Sequence, residues 1–237
     1  MDVPFRLPDA KLQVRLMATV DVEEKIPRAL RALAPLARRR VLLLDSKRLG
    51  FRARQLRVMG ATVVTRRGLA LEGLRPASFD VVVACWAGFG GTGPGADSAL
   101  RAAEPLLVPG GRLLAVQEYG RDDVRALSFD GRSEAELVAW SHRHGPLLTG
   151  GWRVRTLHCW WTFADLGHAR RLLSAAFPDT GPAVAAAMRR PRLSHKVAVY
   201  HLTPGEPGAE GAGEEAIEVA PGGAGGGAGG GAGEGAA

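Results

Sequence analysis

Four short apolar runs separated by stretches of helical spacing constrain this chain more than any other feature. They are Val41-Leu-Leu-Leu44, Ala61-Thr-Val-Val-Thr65, Ser78-Phe-Asp-Val-Val-Val-Ala-Cys85 and Arg112-Leu-Leu-Ala-Val-Gln117. Each is strand-sized and rich in branched residues, and a near-continuous apolar run is the pattern of a strand covered on both faces. Ahead of the first, Ile26, Leu30, Leu33 and Leu36 fall at helical spacing behind Asp21-Val-Glu-Glu24, which resembles a capping box. Pro27 and Pro35 hold that helix to a modest length. A second helix is expected over Phe51–Val58, closed by Met59-Gly60, and a third over Asp97–Leu107, ending before Pro109-Gly-Gly111. Strand–helix alternation of this kind predicts an α/β fold, a doubly wound, mostly parallel sheet with helices on both faces. Such sheets bind ligands at the C-terminal strand ends, where the strand order reverses. The expected site is therefore built from the loops after Leu44, Thr65, Cys85 and Gln117.

The last third changes character. Trp152–Trp160 alternates large apolar with polar groups, Asp165–Phe177 has helical spacing closed by Pro178, and Lys196–His201 is a final strand. A strand–helix–strand ending predicts an antiparallel strand near the C-terminus. Beyond it, Gly205–Ala237 holds 14 of the 32 glycines and almost no large apolar residue. Such a segment cannot offset its own ordering entropy. The expected organisation is one α/β domain over residues 1–203, with residues 1–40 as a helical lead-in, and a disordered Gly/Ala/Glu-rich tail over 204–237.

Charge follows the same boundary. The whole chain carries +7, but the tail has six Glu and no Lys or Arg, which leaves 31 basic against 18 acidic residues in the body. A basic body attracts anions, including nucleic acid. No nucleic-acid motif accompanies the charge, and only four of the basic residues are Lys, so the surplus reads as an Arg-rich composition. Nucleic acid is not the expected partner. Cys85 and Cys159 form no CxxC pair, which excludes a zinc ribbon or a thioredoxin-type centre. His142 and His144 form an HxH pair and His158 precedes Cys159, but no third convergent ligand is in evidence, so no metal is expected. No apolar run reaches the ~18 residues of a membrane span. Charged residues break the first twenty positions, so no signal peptide is expected and the location is read as cytoplasmic.

The spacing of Val41–Leu44, Gly50, Gly60-Ala-Thr-Val-Val64, Phe79-Asp-Val-Val-Val-Ala84 and Leu107-Val-Pro-Gly-Gly-Arg-Leu-Leu114 resembles the class I S-adenosylmethionine-dependent methyltransferases. Phe79–Ala84 is similar to that family's fourth-strand segment and Leu107–Leu114 to its fifth. The resemblance covers about Val41 to Val116 and, more loosely, the closing two strands. It implies a Rossmann-like, seven-stranded sheet with an antiparallel last strand, S-adenosylmethionine as cofactor and a small-molecule acceptor. It also implies that Asp45, Ser46 and Gly50 line the aminoacyl side, with Arg67 at the ribose position. Glu72, Cys85 and Trp86 then take the adenine side. Three departures accompany it, one being that the family acid meeting the adenine amine would fall near Ala70, with Glu72 close but displaced. Where the family's first loop has GxGxG, only Gly50 remains, with Ser46 and Arg48 at the other two places. Where the family has a ribose-binding acid after the second strand, this chain has Arg67, a donor only.

Further candidates lie along the same edge. Glu118 and Tyr119 follow the strand ending at Gln117 and are the expected catalytic pair, a general base and an orienting hydroxyl. Gly88–Gly95, with five glycines in eight positions, lacks the GK[ST] ending of a phosphate loop and reads as a lid over the crevice. Cys85 reads as a buried small residue, and Trp160, Trp161 and Phe163 as core or pocket wall. Lys47, Arg48, Arg66 and Arg67 are candidates to converge as an anion cradle. Three functions stay open at this point. They are methyl transfer to an unidentified acceptor, a non-catalytic degenerate fold binding an anionic partner, and an NADP-dependent oxidoreductase with Arg66-Arg67 at the 2′-phosphate.

Overall fold

The computed structural model describes residues 7–45, 50–67, 70–86, 101–127, 141 and 144–205. Two helices lead in, α1 (Ala10–Met17) and α2 (Lys25–Leu33), followed by β1 (Arg40–Asp45), α3 (Phe51–Val58), β2 (Thr62–Arg67), β3 (Phe79–Cys85) and β4 (Leu107–Glu118). The chain then runs through α4 (Pro146–Thr149), β5 (Arg153–Thr162), α5 (Leu166–Ala176) and α6 (Gly181–Ala187) to β6 (Arg192–Leu202). Among the described residues the sheet has six strands in the order β2-β1-β3-β4-β6-β5. The first four are mutually parallel, and β6 runs antiparallel to both β4 and β5. The mixed α/β sheet and its antiparallel final strand are as the sequence predicts. The seventh strand implied by the resemblance is not among the described residues: 70–78, between β2 and β3, are turns and extended chain.

The apolar runs are explained by their position. Val41 and Leu43 of β1 face one core cluster while Leu42 and Leu44 face the other, and all four are fully buried. β3 divides in the same way, with Val81, Val83 and Cys85 on the first face and Val82 and Ala84 on the second. The first face carries α1, α2, α3, α5 and α6, including Leu16, Ile26, Leu30, Leu56 and Leu172. The second is covered by the turn at Ala103–Leu106 and by Leu147 and Trp152.

Pro109-Gly-Gly111 lies inside β4 rather than before it. Phe79 pairs with Leu107, but Val81 pairs with Arg112, so the three residues form an excursion between two registers. A Cβ on Gly111 would lie 2.9 Å from the Val108 oxygen and 3.0 Å from the Asp80 oxygen, which is why the strand passes there only as glycine.

Candidate functional site at the C-terminal strand edge

Register brings the predicted residues to one edge. Asp45 pairs with Arg67 on one side and with Cys85 on the other, Cys85 pairs with Val116, and Glu118 pairs with Val197. Asp45, Arg67, Cys85, Trp86, Glu118 and Tyr119 thus share the C-terminal edge of the parallel strands. Gly50 opens α3 at the same edge with φ +63, a left-handed conformation that glycine adopts without a Cβ penalty. Ser46, Lys47, Arg48, Gly88–Gly95 and His142 lie outside the described residues, as does most of the expected tail. Glu72 sits in an exposed turn beyond β2.

Faces matter as much as edges. Glu118 is buried and continues the row of Leu114 and Val116 on the first face, whereas Tyr119 packs against the second core cluster. The base and hydroxyl expected to act together are therefore on opposite sides of the sheet. Arg66 and Arg67 are likewise successive residues of one strand and point to opposite faces. Of that pair, one guanidinium at most meets a given ligand. His158 is exposed, and its carbonyl accepts from Lys25 Nζ at 2.7 Å. Among the described residues no cluster of His, Cys, Asp and Glu is arranged to hold a metal.

Trp86 ends β3 with φ +45, a strained value for a bulky residue, held by its N–H donating to the Val116 carbonyl at 3.0 Å. This turn lays the indole flat against the imidazole of His195, with planes 13° apart. His195 is buried, and its Nδ1 accepts from Trp161 Nε1 at 3.3 Å. The neutral ring therefore carries its proton on Nε2. Both that Nε2 and the Trp86 Nε1 are buried without a hydrogen-bond partner among the described residues. Loss of solvation pushes the His195 pKa down to about 4, so the ring is neutral at physiological pH.

The chain after β4 fixes His195 in place. Tyr119 N–H donates to the Lys196 carbonyl, the Asp122 carboxylate accepts from Lys196 N–H at 2.6 Å, and Asp123 accepts from Ser194 N–H at 2.9 Å. The residues on both sides of His195 are thereby tied to the end of β4.

On the same face, the segment before α2 crosses the end of β5. Val20 bridges to Trp161, and Asp21 N–H donates to the Trp160 carbonyl. The Asp21 carboxylate caps α2, accepting from Lys25 N–H at 2.8 Å and Ile26 N–H at 2.9 Å. Burial raises its pKa against these bonds and against the nearby Arg52 charge. Cys159, beside it, is a buried thiol with a strongly raised pKa, which makes it inert as a nucleophile.

Arg52 and His195 are site residues that the sequence patterns do not single out. Arg52 occupies a position of α3 otherwise expected to be apolar, and nothing distinguishes it among so many arginines. His195 carries a usable signal: two residues before Val197, it falls on the inward phase of β6.

No family model matches the chain, and no curated protein matches it. Solved structures do. An S-adenosylmethionine-dependent methyltransferase from Mesorhizobium loti is 16% identical, covering 72% of this chain and 96% of its own, with a TM-score of 0.35. The YcgJ protein of Bacillus subtilis is 12% identical over 76% of this chain and 97% of its own, with a TM-score of 0.45. YjhP of E. coli is 17% identical over 84% and 94%, with a TM-score of 0.41.

Proposed function

We propose that this protein binds S-adenosylmethionine at the C-terminal edge of β1, β3 and β4 and passes its methyl group to a small-molecule acceptor. The observation that carries this reading is that Gly50, which opens α3, Trp86, which follows β3, and Glu118, which ends β4, all lie at that edge with the elements of the first face. The cofactor's chemistry is donation of a methyl group from a sulfonium to a nucleophile, and the chain's part is alignment and exclusion of water. Trp86 offers an indole face and an unsatisfied N–H, a suitable wall for a planar, hydrogen-bonding base. Glu118 is the candidate base for the acceptor's proton, and Tyr119 lines the opposite face. Arg67 reverses the polarity at the ribose position, a donor where the resemblance expects an acceptor for the ribose hydroxyls.

Calorimetric titration of the full chain with S-adenosylhomocysteine tests this. Micromolar binding is expected, and no binding at millimolar concentration rejects it. Glu118→Gln is expected to leave that affinity within about threefold.

Arg67 also favours a second reading, a degenerate fold that uses its exposed basic rim to bind an anionic partner. In that case S-adenosylhomocysteine does not bind, and a salt-sensitive partner is lost on Arg67→Glu. The NADP reading is weakened by the opposed faces of Arg66 and Arg67. A parallel NADPH titration with no fluorescence change removes it.

A further inference from the structure

Arg52 is a fully buried cation whose hydrogen-bonding capacity is only partly used among the described residues. It lies in the first turn of α3, two residues after Gly50, and is fully buried. Its Nη1 donates to Gln55 Oε1 at 2.5 Å, while Nε and Nη2 have no hydrogen-bond partner among the described residues. Those two nitrogens form one edge of the guanidinium, the side that grips a carboxylate through two parallel N–H···O bonds. Asp21 is close enough to interact electrostatically, while its carboxylate oxygens accept from the backbone of α2 and not from the guanidinium. Burying a cation with its bidentate edge unmade is unfavourable, because the lost hydration of those N–H groups is not replaced. A Met or Leu at this position would pack against Ala53 and Leu56 without that cost. The edge therefore waits for an anion with two coplanar oxygens.

We infer that Arg52 binds a carboxylate of the ligand that occupies the strand-edge cleft, side-on through Nε and Nη2. The inference rests on the reading of that edge as a ligand cleft. Two sources supply the same chemistry, the aminoacyl carboxylate of S-adenosylmethionine and a carboxylate on the acceptor.

The test compares S-adenosylhomocysteine with methylthioadenosine, which has the same nucleoside and sulfur but no aminoacyl group. Both are titrated into the full chain and into Arg52→Met and Arg52→Lys. If the cofactor is the source, the unaltered protein prefers S-adenosylhomocysteine by tenfold or more. Arg52→Met then brings the two ligands within about twofold, and Arg52→Lys falls between. If the acceptor is the source, the two nucleosides bind alike, and succinate binds the methylthioadenosine-loaded protein but not its Arg52→Met variant. If neither nucleoside binds, the methyltransferase reading fails by itself, and succinate titrated into the unloaded protein still decides the role of Arg52. Equal nucleoside affinities with no Arg52-dependent succinate binding overturn the inference. Melting temperature gives a separate readout: Arg52→Met should melt close to the parent, because removing the unmade hydrogen bonds offsets the lost attraction to Asp21. A melting temperature lowered by several degrees, or a variant that does not fold, assigns Arg52 to the framework and also overturns it.

Discussion

The indole of Trp86 and the imidazole of His195 lie nearly parallel, 13° apart with centroids 6.4 Å from each other, and each ring presents a buried N–H that no described residue accepts. The pair joins the end of β3 to the start of β6 across β4, so the antiparallel strand packs against the C-terminal edge of the parallel strands as well as extending the sheet.

The neutral state of His195 makes stability depend on acid. Its folded pKa, about 4, lies below the ordinary 6.5, so the unfolded chain binds the proton first. The stability held by the neutral ring is complete above pH 6.5 and is lost as pH falls from there to 4, by about 3 kcal/mol in all. Asp122 works in the opposite sense: burial raises its pKa to about 6, so its contribution is lost as pH rises from 3.8 to 6. Denaturation of the parent and of His195→Gln at a series of pH values separates the two. The parent should lose stability relative to the variant on acidification, and parallel curves would contradict the burial assigned to His195.

Arg67→Asp should tighten S-adenosylhomocysteine binding about tenfold, or 1.4 kcal/mol. It replaces a donor with an acceptor beside the end of β1, where Arg67 is in register with Asp45. Calorimetry checks this, and weaker binding would show that the guanidinium contacts the ligand directly.

Gly181 opens α6 where a Cβ would lie 2.2 Å from the Leu173 oxygen and 2.6 Å from its carbonyl carbon. Both atoms are backbone of α5, so nothing flexible can yield. Gly181→Ala should cost about 3 kcal/mol or more, a fall in melting temperature on the order of 10 °C.

Asp21→Asn keeps the shape of the α2 cap but leaves one acceptor where two N–H groups are now satisfied. A loss of about 1–2 kcal/mol is expected by chemical denaturation, with Asp21→Ala costing at least as much.

The strands and most of their helices were legible in the sequence because their signal is local. Val41–Leu44 and Phe79–Cys85 are apolar at successive positions, and only a strand covered on both faces accepts that. Phe51–Val58 was legible as a helix between two such strands, and Trp152–Trp160 as a half-buried strand from its alternation. Asp45, Arg67, Cys85 and Glu118 were foreseeable as neighbours because parallel strands deliver their ends to a common edge. The position of Pro109-Gly-Gly111 within β4 was not, since two registers of one strand pair look the same in sequence as a strand preceded by a turn.

What the tertiary structure alone decided is which polar side chains are buried and what they then lack. Arg52 reads as one more surface arginine until Asp21, α2 and α3 close around it, and His195 reads as an ordinary strand residue until Trp86 and Trp161 enclose it. The sequence by itself determined which segments become strands and helices, because apolar periodicity acts over a few neighbouring residues. Whether a donor is left without a partner depends on every element that packs against it, and those elements come from distant parts of the chain.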